Sequence, residues 1–260
     1  MIGIDSSGLN LTAGTVRHGI RKKEACLFHN LSLSLPARRL TALLGRSGVG
    51  KSSLLRLLAG LTPPPRSAMI YDGIVTQGDN TPATGHIALM DQRDLLLPWA
   101  SVLDNVVIGA RLRAERVDAD RARALLDAVG LLECAYDRPE KLSGGMRQRV
   151  MLARTLYEDQ PIVLMDEPFS SLDAVTRQHL QELTLSLLAD RTVLLITHDP
   201  LEALRAAHQI YVMVGTPAHL VYYPVPGKPP PRDLNLAALR TAHSDLMNQL
   251  SSPPTMTSTS

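Results

Sequence analysis

The chain has 260 residues, of which 45% are hydrophobic and only 3% are aromatic, and its net charge is +2. A chain of this length and composition can bury the core of one large domain or two small ones. The near-balanced charge and the scarcity of aromatic rings argue against nucleic acid as a partner, because such binding needs clustered positive charge and stacking surfaces. Cys26 and Cys134 are too few and too isolated for a disulfide framework or a zinc site, so they indicate an intracellular protein.

The chain shows no sign of membrane insertion. Its N-terminus lacks the pattern of a secretory signal, and no uninterrupted apolar run reaches the roughly 18 to 20 residues that span a bilayer. We therefore expect no transmembrane segment. If the protein works at a membrane, another protein must hold it there.

The N-terminal part of the chain alternates apolar and polar residues over short stretches, at residues 8–11 and 27–35. This pattern predicts half-buried strands. The next stretch, Leu-Thr-Ala-Leu-Leu at 40–44, is a short apolar run and predicts a buried strand.

The stretch after that strand, Gly-Arg-Ser-Gly-Val-Gly-Lys-Ser, matches the phosphate-binding pattern G-x-x-x-x-G-K-[ST] at every fixed position. Its glycines let successive N–H groups turn toward phosphates, and the following helix adds partial positive charge at its N-terminus. Lys51 is expected to reach the outer phosphates and Ser52 to bind magnesium. A Gly/Ser turn with a chance lysine is the alternative, which the flanking strand and helix disfavour. The predicted nucleotide-binding residues here are Gly45, Arg46, Ser47, Gly48, Val49, Gly50, Lys51, Ser52 and Ser53.

Strand patterns return at residues 69–71, before a predicted turn at Asp72-Gly73, and at 86–90. Together with the first strands they predict a small antiparallel β layer beside the nucleotide-binding core. Residues from about 93 to 150 then have helical periodicity, at 102–109, at 118–129 and from Gly144 or Gly145 to Leu156. We expect a helical subdomain inserted into the core.

Strands and helices alternate in the rest of the domain. Strands are predicted at 163–166 and 192–196, a helix at 174–188, and a closing pair of strands at 210–214 and 219–222. This alternation predicts an α/β fold with a mostly parallel sheet. Beyond Tyr223 the chain is rich in Pro, Ser and Thr. We therefore expect a domain over 1–223 and a partly disordered tail over 224–260 that contains one helix at 234–250.

An Asp-Glu pair follows the predicted strand 163–166 directly. Asp166 is placed to help bind magnesium, and Glu167 to polarise a water toward the terminal phosphate, which favours hydrolysis over group transfer. A solvated turn is the ordinary interpretation of two adjacent acids. Here the apolar strand before the pair and Pro168 after it favour the catalytic one.

Four further motifs occur in a fixed order: LSGGMRQR at 142–149, LMDEP at 164–168, SSLD at 170–173 and THD at 197–199. With the phosphate-binding loop and Gln92, this set resembles the ATP-binding subunits of the ABC transporter family over about the first 223 residues. The resemblance implies a P-loop NTPase (RecA-like) core. It also implies an ATPase whose substrate is ATP with Mg²⁺.

The family's roles can be assigned to the matching residues. The resemblance implies that Ser143, Gly144 and Gly145 bind the γ-phosphate of an ATP held by a second copy of the chain, so that a homodimer closes around two ATP. His198 would contact the γ-phosphate and orient the water or Glu167; its alternative is an ordinary surface histidine. Gln92 would touch magnesium or the water, with Ser52 and Asp166 as the other magnesium ligands. Asp173 would lie at the dimer seam.

The segment after Gln92 reads Leu-Leu-Pro-Trp at 96–99, and Met146-Arg147 stands inside the LSGGMRQR motif. These features are similar to the importer subgroup for nitrate, sulfonates, taurine and pyrimidine precursors. The resemblance implies a transmembrane permease partner that contacts the Gln92 to Trp99 region, and an extracytoplasmic solute-binding protein. It also implies a peripheral position on the cytoplasmic face of the inner membrane. A buried core residue is the alternative for Trp99.

Two features depart from the family. Met146 stands where the motif more generally has glutamine, which suits the importer subgroup and should not abolish phosphate contacts by Ser143 and Gly145. Members usually stack adenine on an aromatic residue ahead of the phosphate-binding loop, but none lies between Leu9 and Leu27; His18 is the nearest ring and Phe28 comes late. A soluble ABC ATPase of translation or DNA repair is a second hypothesis, although such proteins carry two cassettes or a long coiled coil. A P-loop kinase or GTPase would leave Ser143, Asp173 and His198 unexplained.

Overall fold

The computed structural model describes residues 8–20, 23–61, 69–233 and 237–251. The strands are β1 (Leu9–Ile20), β2 (Lys23–Leu35), β3 (Leu40–Gly45), β4 (Met69–Gln77), β5 (Ile87–Met90), β6 (Ile162–Asp166), β7 (Thr192–Ile196), β8 (Gln209–Gly215) and β9 (Ala218–Tyr223). The α-helices are α1 (Lys51–Leu58), α2 (Val102–Val106), α3 (Ile108–Leu112), α4 (Ala119–Ala128), α5 (Gly144–Tyr157), α6 (Ala174–Leu187), α7 (Pro200–Ala206) and α8 (Ala237–Ser251). Two single turns of 3-10 helix, Leu132–Cys134 and Pro139–Lys141, join α4 to α5.

The central sheet has six strands in the order β5-β6-β7-β3-β8-β9. Its neighbours are parallel from β5 to β8, and only β8 and β9 are antiparallel. Every residue of β3, β6 and β7 is buried, because these strands are apolar runs covered on both faces. The mostly parallel α/β sheet is confirmed, and the carboxyl ends of its central strands meet at one edge.

A second sheet, in the order β2-β1-β4, is antiparallel and confirms the predicted N-terminal β layer for its first strands and the strand at 69–71. The strand at 86–90 was wrongly assigned to this layer: it is β5 of the central sheet, where it pairs in parallel with β6. The predicted turn at Asp72-Gly73 is wrong, since both residues lie inside β4. Gly73 has a φ of 146° and faces an irregularity in β1 between Thr12 and Thr15. Glycine allows this backbone conformation within a strand, so the residue that suggested a turn instead lets two irregular strands stay paired.

The helical insertion lies between β5 and β6 and contains α2 to α5. The single helix predicted over 102–109 is divided into α2 and α3, because Val107 leaves helical geometry between them with φ −92° and ψ 4°. Val106 and Val107 are both buried. The break therefore directs two consecutive apolar side chains into the core.

The buried apolar residues that the structure describes form two hydrophobic clusters, one on each face of the six-stranded sheet. Alternate residues along one strand enter different clusters: Val193 and Leu195 join the cluster of the helical insertion, whereas Leu194 and Ile196 join that of α1 and the N-terminal sheet. Because side chains pack on both of its faces, the sheet is a fixed support for the residues at the carboxyl ends of its strands.

The segment beyond residue 223 contributes to the fold. Leu239, Ala242 and Leu246 of α8 are buried within the larger cluster, and the Tyr223 hydroxyl donates to Ala242 O at 3.3 Å. The end of the predicted tail, residues 252–260, lies outside the described residues, and the domain boundary at 223 stays a prediction. Within the described ranges, no helix is both long and apolar enough to cross a membrane.

Candidate functional site

The phosphate-binding loop joins β3 to α1 at the carboxyl edge of the central sheet. Gly50 caps the helix with a φ of 114°, a left-handed conformation that glycine adopts more readily than other residues. The Lys51 ammonium is turned back over the loop and donates to Gly45 O at 2.7 Å and Arg46 O at 3.0 Å. Burial lowers the pKa of Lys51, and the nearby Glu167 and Asp166 carboxylates oppose that change. The loop therefore presents a desolvated cation beside two acids.

Asp166 ends β6 and is only 4% exposed. Burial raises the pKa of its carboxyl, a side-chain hydrogen bond with Ser52 opposes the rise, and the Glu167 and Asp91 carboxylates add to it. A hydroxyl and a carboxylate in contact are the hard oxygen ligands that Mg²⁺ prefers. Among the described residues, no group of three or more His, Cys, Asp or Glu is arranged to hold a metal. This donor set fits Mg²⁺, which is usually bound by one or two protein ligands together with phosphates and water.

Glu167 is the centre of the candidate site. Its Oε1 lies 3.3 Å from His198 Nδ1, and its Oε2 accepts from Gln92 Nε2 at 3.2 Å. The structure thus brings together the three residues predicted to be catalytic, from the ends of β5, β6 and β7. Each follows a different strand of one parallel sheet, so the sheet itself sets their spacing.

The backbone of Glu167 adopts a φ of 49°, which is uncommon for a residue other than glycine. Its N–H donates to Ile196 O at 2.9 Å, and its carbonyl accepts from Gln148 Nε2 at 2.9 Å and Ser170 Oγ at 3.1 Å. The surroundings therefore fix an unfavourable conformation that aims the carboxylate. Gln148 was not predicted as a site residue, although its place inside the LSGGMRQR motif was an available signal.

The segment that follows Gln92 is held by Asn105, which is fully buried in α2. Its Oδ1 accepts from Leu97 N at 2.7 Å, and its Nδ2 donates to Leu97 O at 3.2 Å and Ser101 O at 3.0 Å. Trp99 lies within the loop that Asn105 holds by hydrogen bonds, and its side chain is 71% exposed. The alternative of a core tryptophan is therefore wrong. A rigid loop thus presents an exposed indole to solvent.

The predicted γ-phosphate contacts of the LSGGMRQR motif lie on an exposed helix start. The Ser143 hydroxyl caps α5 by accepting from Met146 N at 3.2 Å, and Gly144 faces open space. Leu172 lies against Gly145, which places the motif beside the loop that leads to Asp173. Ser143 and Gly144 are both exposed.

Asp173 caps α6 by accepting from Thr176 N at 3.0 Å, and this backbone hydrogen bond lowers the pKa of its carboxyl. Across the described ranges, no hydrogen bond or ion pair joins Asp173 or residues 143–145 to the loop 45–52. The chain therefore carries two groups of predicted site residues, one around Glu167 and one around Ser143.

The aromatic residue that precedes the phosphate-binding loop in the chain, Phe28, is not on the surface. Phe28 is 0% exposed, and its ring lies beneath Gly50, where an added Cβ would be 3.5 Å from Phe28 Cδ1. It supports the loop from below and is closed to an adenine ring. The side chain of His18 lies outside what the structure describes.

Comparison with known proteins identifies the family. Residues 28–170 match the family model described as ABC transporter. The chain is 41% identical over 229 residues to an uncharacterized ABC transporter ATP-binding protein of Haemophilus influenzae, covering 86% of this chain and 92% of that one. It is 40% identical over 215 residues to an aliphatic sulfonates import ATP-binding protein of Rhodococcus jostii, covering 82% and 80%. It is 41% identical over 207 residues to a taurine import ATP-binding protein of Pseudomonas aeruginosa, covering 77% and 76%.

Solved structures agree on the fold. A dimeric ATP-binding cassette in a post-hydrolysis state bound to ADP and Pi superposes with a TM-score of 0.72 at 23% identity, covering 85% of this chain and 100% of that one. The chain therefore belongs to the ABC transporter family, as one of its ATP-binding, ATP-hydrolysing proteins.

Proposed function

We propose that this chain is the ATP-hydrolysing subunit of a multisubunit importer, working as a homodimer beneath a separate permease on the cytoplasmic face of the inner membrane. The observation that carries the hydrolytic role is the Glu167 carboxylate, held between His198 Nδ1 and Gln92 Nε2 beside the phosphate-binding loop. The import role is supported by relatives whose names specify import.

In this proposal the loop N–H groups and Lys51 hold the phosphates of ATP. The ammonium exchanges its contacts with Gly45 O and Arg46 O for phosphate oxygens. Ser52 and Asp166, with Gln92, would hold Mg²⁺, which when bound neutralises charge on the phosphates. Glu167 accepts a proton from water as the water oxygen attacks the γ-phosphorus, and ADP and inorganic phosphate leave.

The exposed start of α5 supports the dimer. Ser143, Gly144 and Gly145 present a helix N-terminus that attracts phosphate, yet no described contact links them to their own chain's loop. A second copy, turned to face the first, would place this helix start on the γ-phosphate held by the partner. ATP then becomes part of the interface, and its hydrolysis reopens the dimer.

The Gln92 to Trp99 region is our proposed permease contact. It is exposed at Trp99, held rigid by Asn105, and joined to Glu167 through Gln92. It is also joined to α5 by the ion pair of Arg147 Nε with Asp94 Oδ2 at 2.7 Å. A displacement at the permease contact would therefore reach both groups of site residues.

The solute is proposed from chemistry that the relatives' names share. Taurine and aliphatic sulfonates both carry a sulfonate group, so we propose an organic sulfonate, delivered by an extracytoplasmic solute-binding protein. Growth on taurine or an alkane sulfonate as sole sulfur source, with and without this gene, tests the solute separately from the ATPase.

Glu167→Gln tests the hydrolytic role. The amide keeps the shape of the side chain and one acceptor oxygen but cannot take a proton, so phosphate release should fall at least about 100-fold. Binding of a fluorescent ATP analogue should stay at the wild-type level, and ATP should now hold the dimer closed in light scattering. Glu133→Gln, an equal change at an exposed site, is the control. Wild-type turnover in Glu167→Gln would remove Glu167 from the role of base.

A further inference from the structure

A buried carboxylate that the proposed reaction does not use lies behind the candidate site. Glu202, in α7, is only 8% exposed. Its Oε2 accepts a hydrogen bond from the Thr197 hydroxyl, and its Oε1 accepts from Gln181 Nε2 of α6 at 3.2 Å. Burying a carboxylate costs free energy, so its place in the core calls for a specific role.

The Thr197 hydroxyl connects this carboxylate to the turn that carries His198. Thr197 directly follows β7 and is 2% exposed. While its hydroxyl donates to Glu202, the same oxygen accepts from Asp199 N at 3.0 Å. Asp199 in turn caps α7 by accepting from Leu201 N at 2.9 Å. The turn is thereby tied to α7 on both sides of His198.

His198 depends on this turn for its position. Its side chain is 63% exposed, and the contact that the structure records for it is the 3.3 Å approach of Nδ1 to Glu167 Oε1. An exposed imidazole has little packing to hold it. The backbone beneath it must therefore set where the ring lies.

We propose that Glu202 is a positioning residue for ATP hydrolysis, which fixes the turn under His198 through the Thr197 hydroxyl and so holds the imidazole against Glu167. The inference rests on the proposed roles of Glu167 and His198. Among the described residues, no hydrogen bond or ion pair joins Glu202 to Glu167 or His198, although all three line one cavity of about 50 Å³. In this proposal the effect of Glu202 passes through Thr197.

The Thr197 hydroxyl is tested by comparing Thr197→Ser with Thr197→Ala. Both variants lose the methyl group, and they differ only in the hydroxyl. Thr197→Ser should keep kcat within about twofold of wild type, whereas Thr197→Ala should lose about tenfold in kcat with the KM for ATP unchanged. Thr184→Ala is the matched control, since Thr184 is 3% exposed and its hydroxyl has no hydrogen-bond partner. Its kcat should equal that of wild type.

Glu202→Gln and Glu202→Leu form a second pair, which decides the matter if Thr197→Ala does not fold. Glutamine still accepts from Thr197, and Gln181 can rotate its amide to pair with the new one, so kcat should stay within about threefold. Leucine removes the acceptor, and kcat should fall about tenfold with ATP affinity retained. The variant that combines Glu202→Leu with Thr197→Ala should lose no more kcat than either single variant, because both changes break the same hydrogen bond.

The outcomes separate this inference from the proposed function. Full activity in both Thr197→Ala and Glu202→Leu, in a protein where Glu167→Gln is inactive, overturns the positioning role and leaves the hydrolytic role standing. Turnover that survives Glu167→Gln overturns both. If Thr197→Ala and Glu202→Leu lose kcat and ATP affinity together, the fold itself is damaged, and this outcome also contradicts the positioning role.

Discussion

Burial raises the pKa of the Glu202 carboxyl to about 7, from an ordinary value of 4.5. Hydrogen bonds from Thr197 and Gln181 oppose the rise, Asp199 adds to it, and Arg177 of α6 lowers it. Between pH 4.5 and about 7 the Glu202 carboxyl is protonated in the folded protein but ionised in the unfolded chain. Its favourable contribution to the free energy of unfolding is fully present below pH 4.5 and is lost as the pH rises through about 7.

Replacing Glu202 with glutamine should remove this dependence. The free energy of unfolding of wild type, measured by denaturant titration, should decline relative to that of Glu202→Gln between pH 4.5 and 8, by about 3 kcal/mol at most. Glu133→Gln, at an exposed site, should follow wild type at each pH. Parallel stability curves for wild type and Glu202→Gln would show that the carboxyl titrates normally.

Some of these residues could be predicted from the sequence and others could not, for a physical reason. Asp166, Glu167 and His198 stand at the ends of apolar runs or within two residues of them. The carboxyl ends of adjacent parallel strands meet, so the proximity of these residues follows from the pattern. Glu202 stands in a short helix, where a glutamate is ordinarily solvated. Its burial arises from the packing of α6 on α7, which no local pattern reveals.

The helix α8 shows how a segment with the composition of a tail can belong to the core. Leu239, Ala242 and Leu246 stand three and four residues apart, so they share one face, and all three are buried. A helix was predicted over 234–250, but not its burial. The helix packs against α7, more than thirty residues earlier in the chain. The local sequence therefore could not predict where α8 packs.

Leu246→Ala should measure how much this docking contributes. Leu246 is 0% exposed, so the truncation should lower the free energy of unfolding by about 2 to 5 kcal/mol. Met247→Ala, its neighbour at 44% exposure, should change it by no more than about 0.5 kcal/mol. Equal effects in denaturant titrations would mean that α8 does not pack on the domain in solution.

The predicted nucleotide-binding residues form two groups, one around Glu167 and one around Ser143, and we propose a permease contact at the Gln92 to Trp99 region. Gln92 and the Arg147–Asp94 pair join all three. In our proposal neither ATP site is complete within one chain. Dimerisation and binding to the permease should therefore be measurable separately.

Trp99→Ala tests the permease contact. Loss of an exposed indole from a rigid loop removes interface area without disturbing the site, so the membrane-bound fraction of the protein in cell extracts should fall about tenfold. Phosphate release by the purified protein should stay within about twofold. Tyr222→Ala, which shortens an aromatic side chain 55% exposed on the edge strand β9, should change neither. An equal fall in both quantities would assign Trp99 a structural role.

Ser143→Arg tests the dimer, in the Glu167→Gln background where ATP is expected to hold the two copies together. A long cationic side chain at the start of α5 should block its approach to the partner's γ-phosphate, so that light scattering in ATP and Mg²⁺ reports a monomer. The substitution also removes the helix cap, which stabilises α5 by about 1 kcal/mol. Ser143→Ala removes the cap without adding bulk and should still allow a dimer. A dimer that persists in Ser143→Arg would place the interface elsewhere and leave Ser143 outside the ATP site.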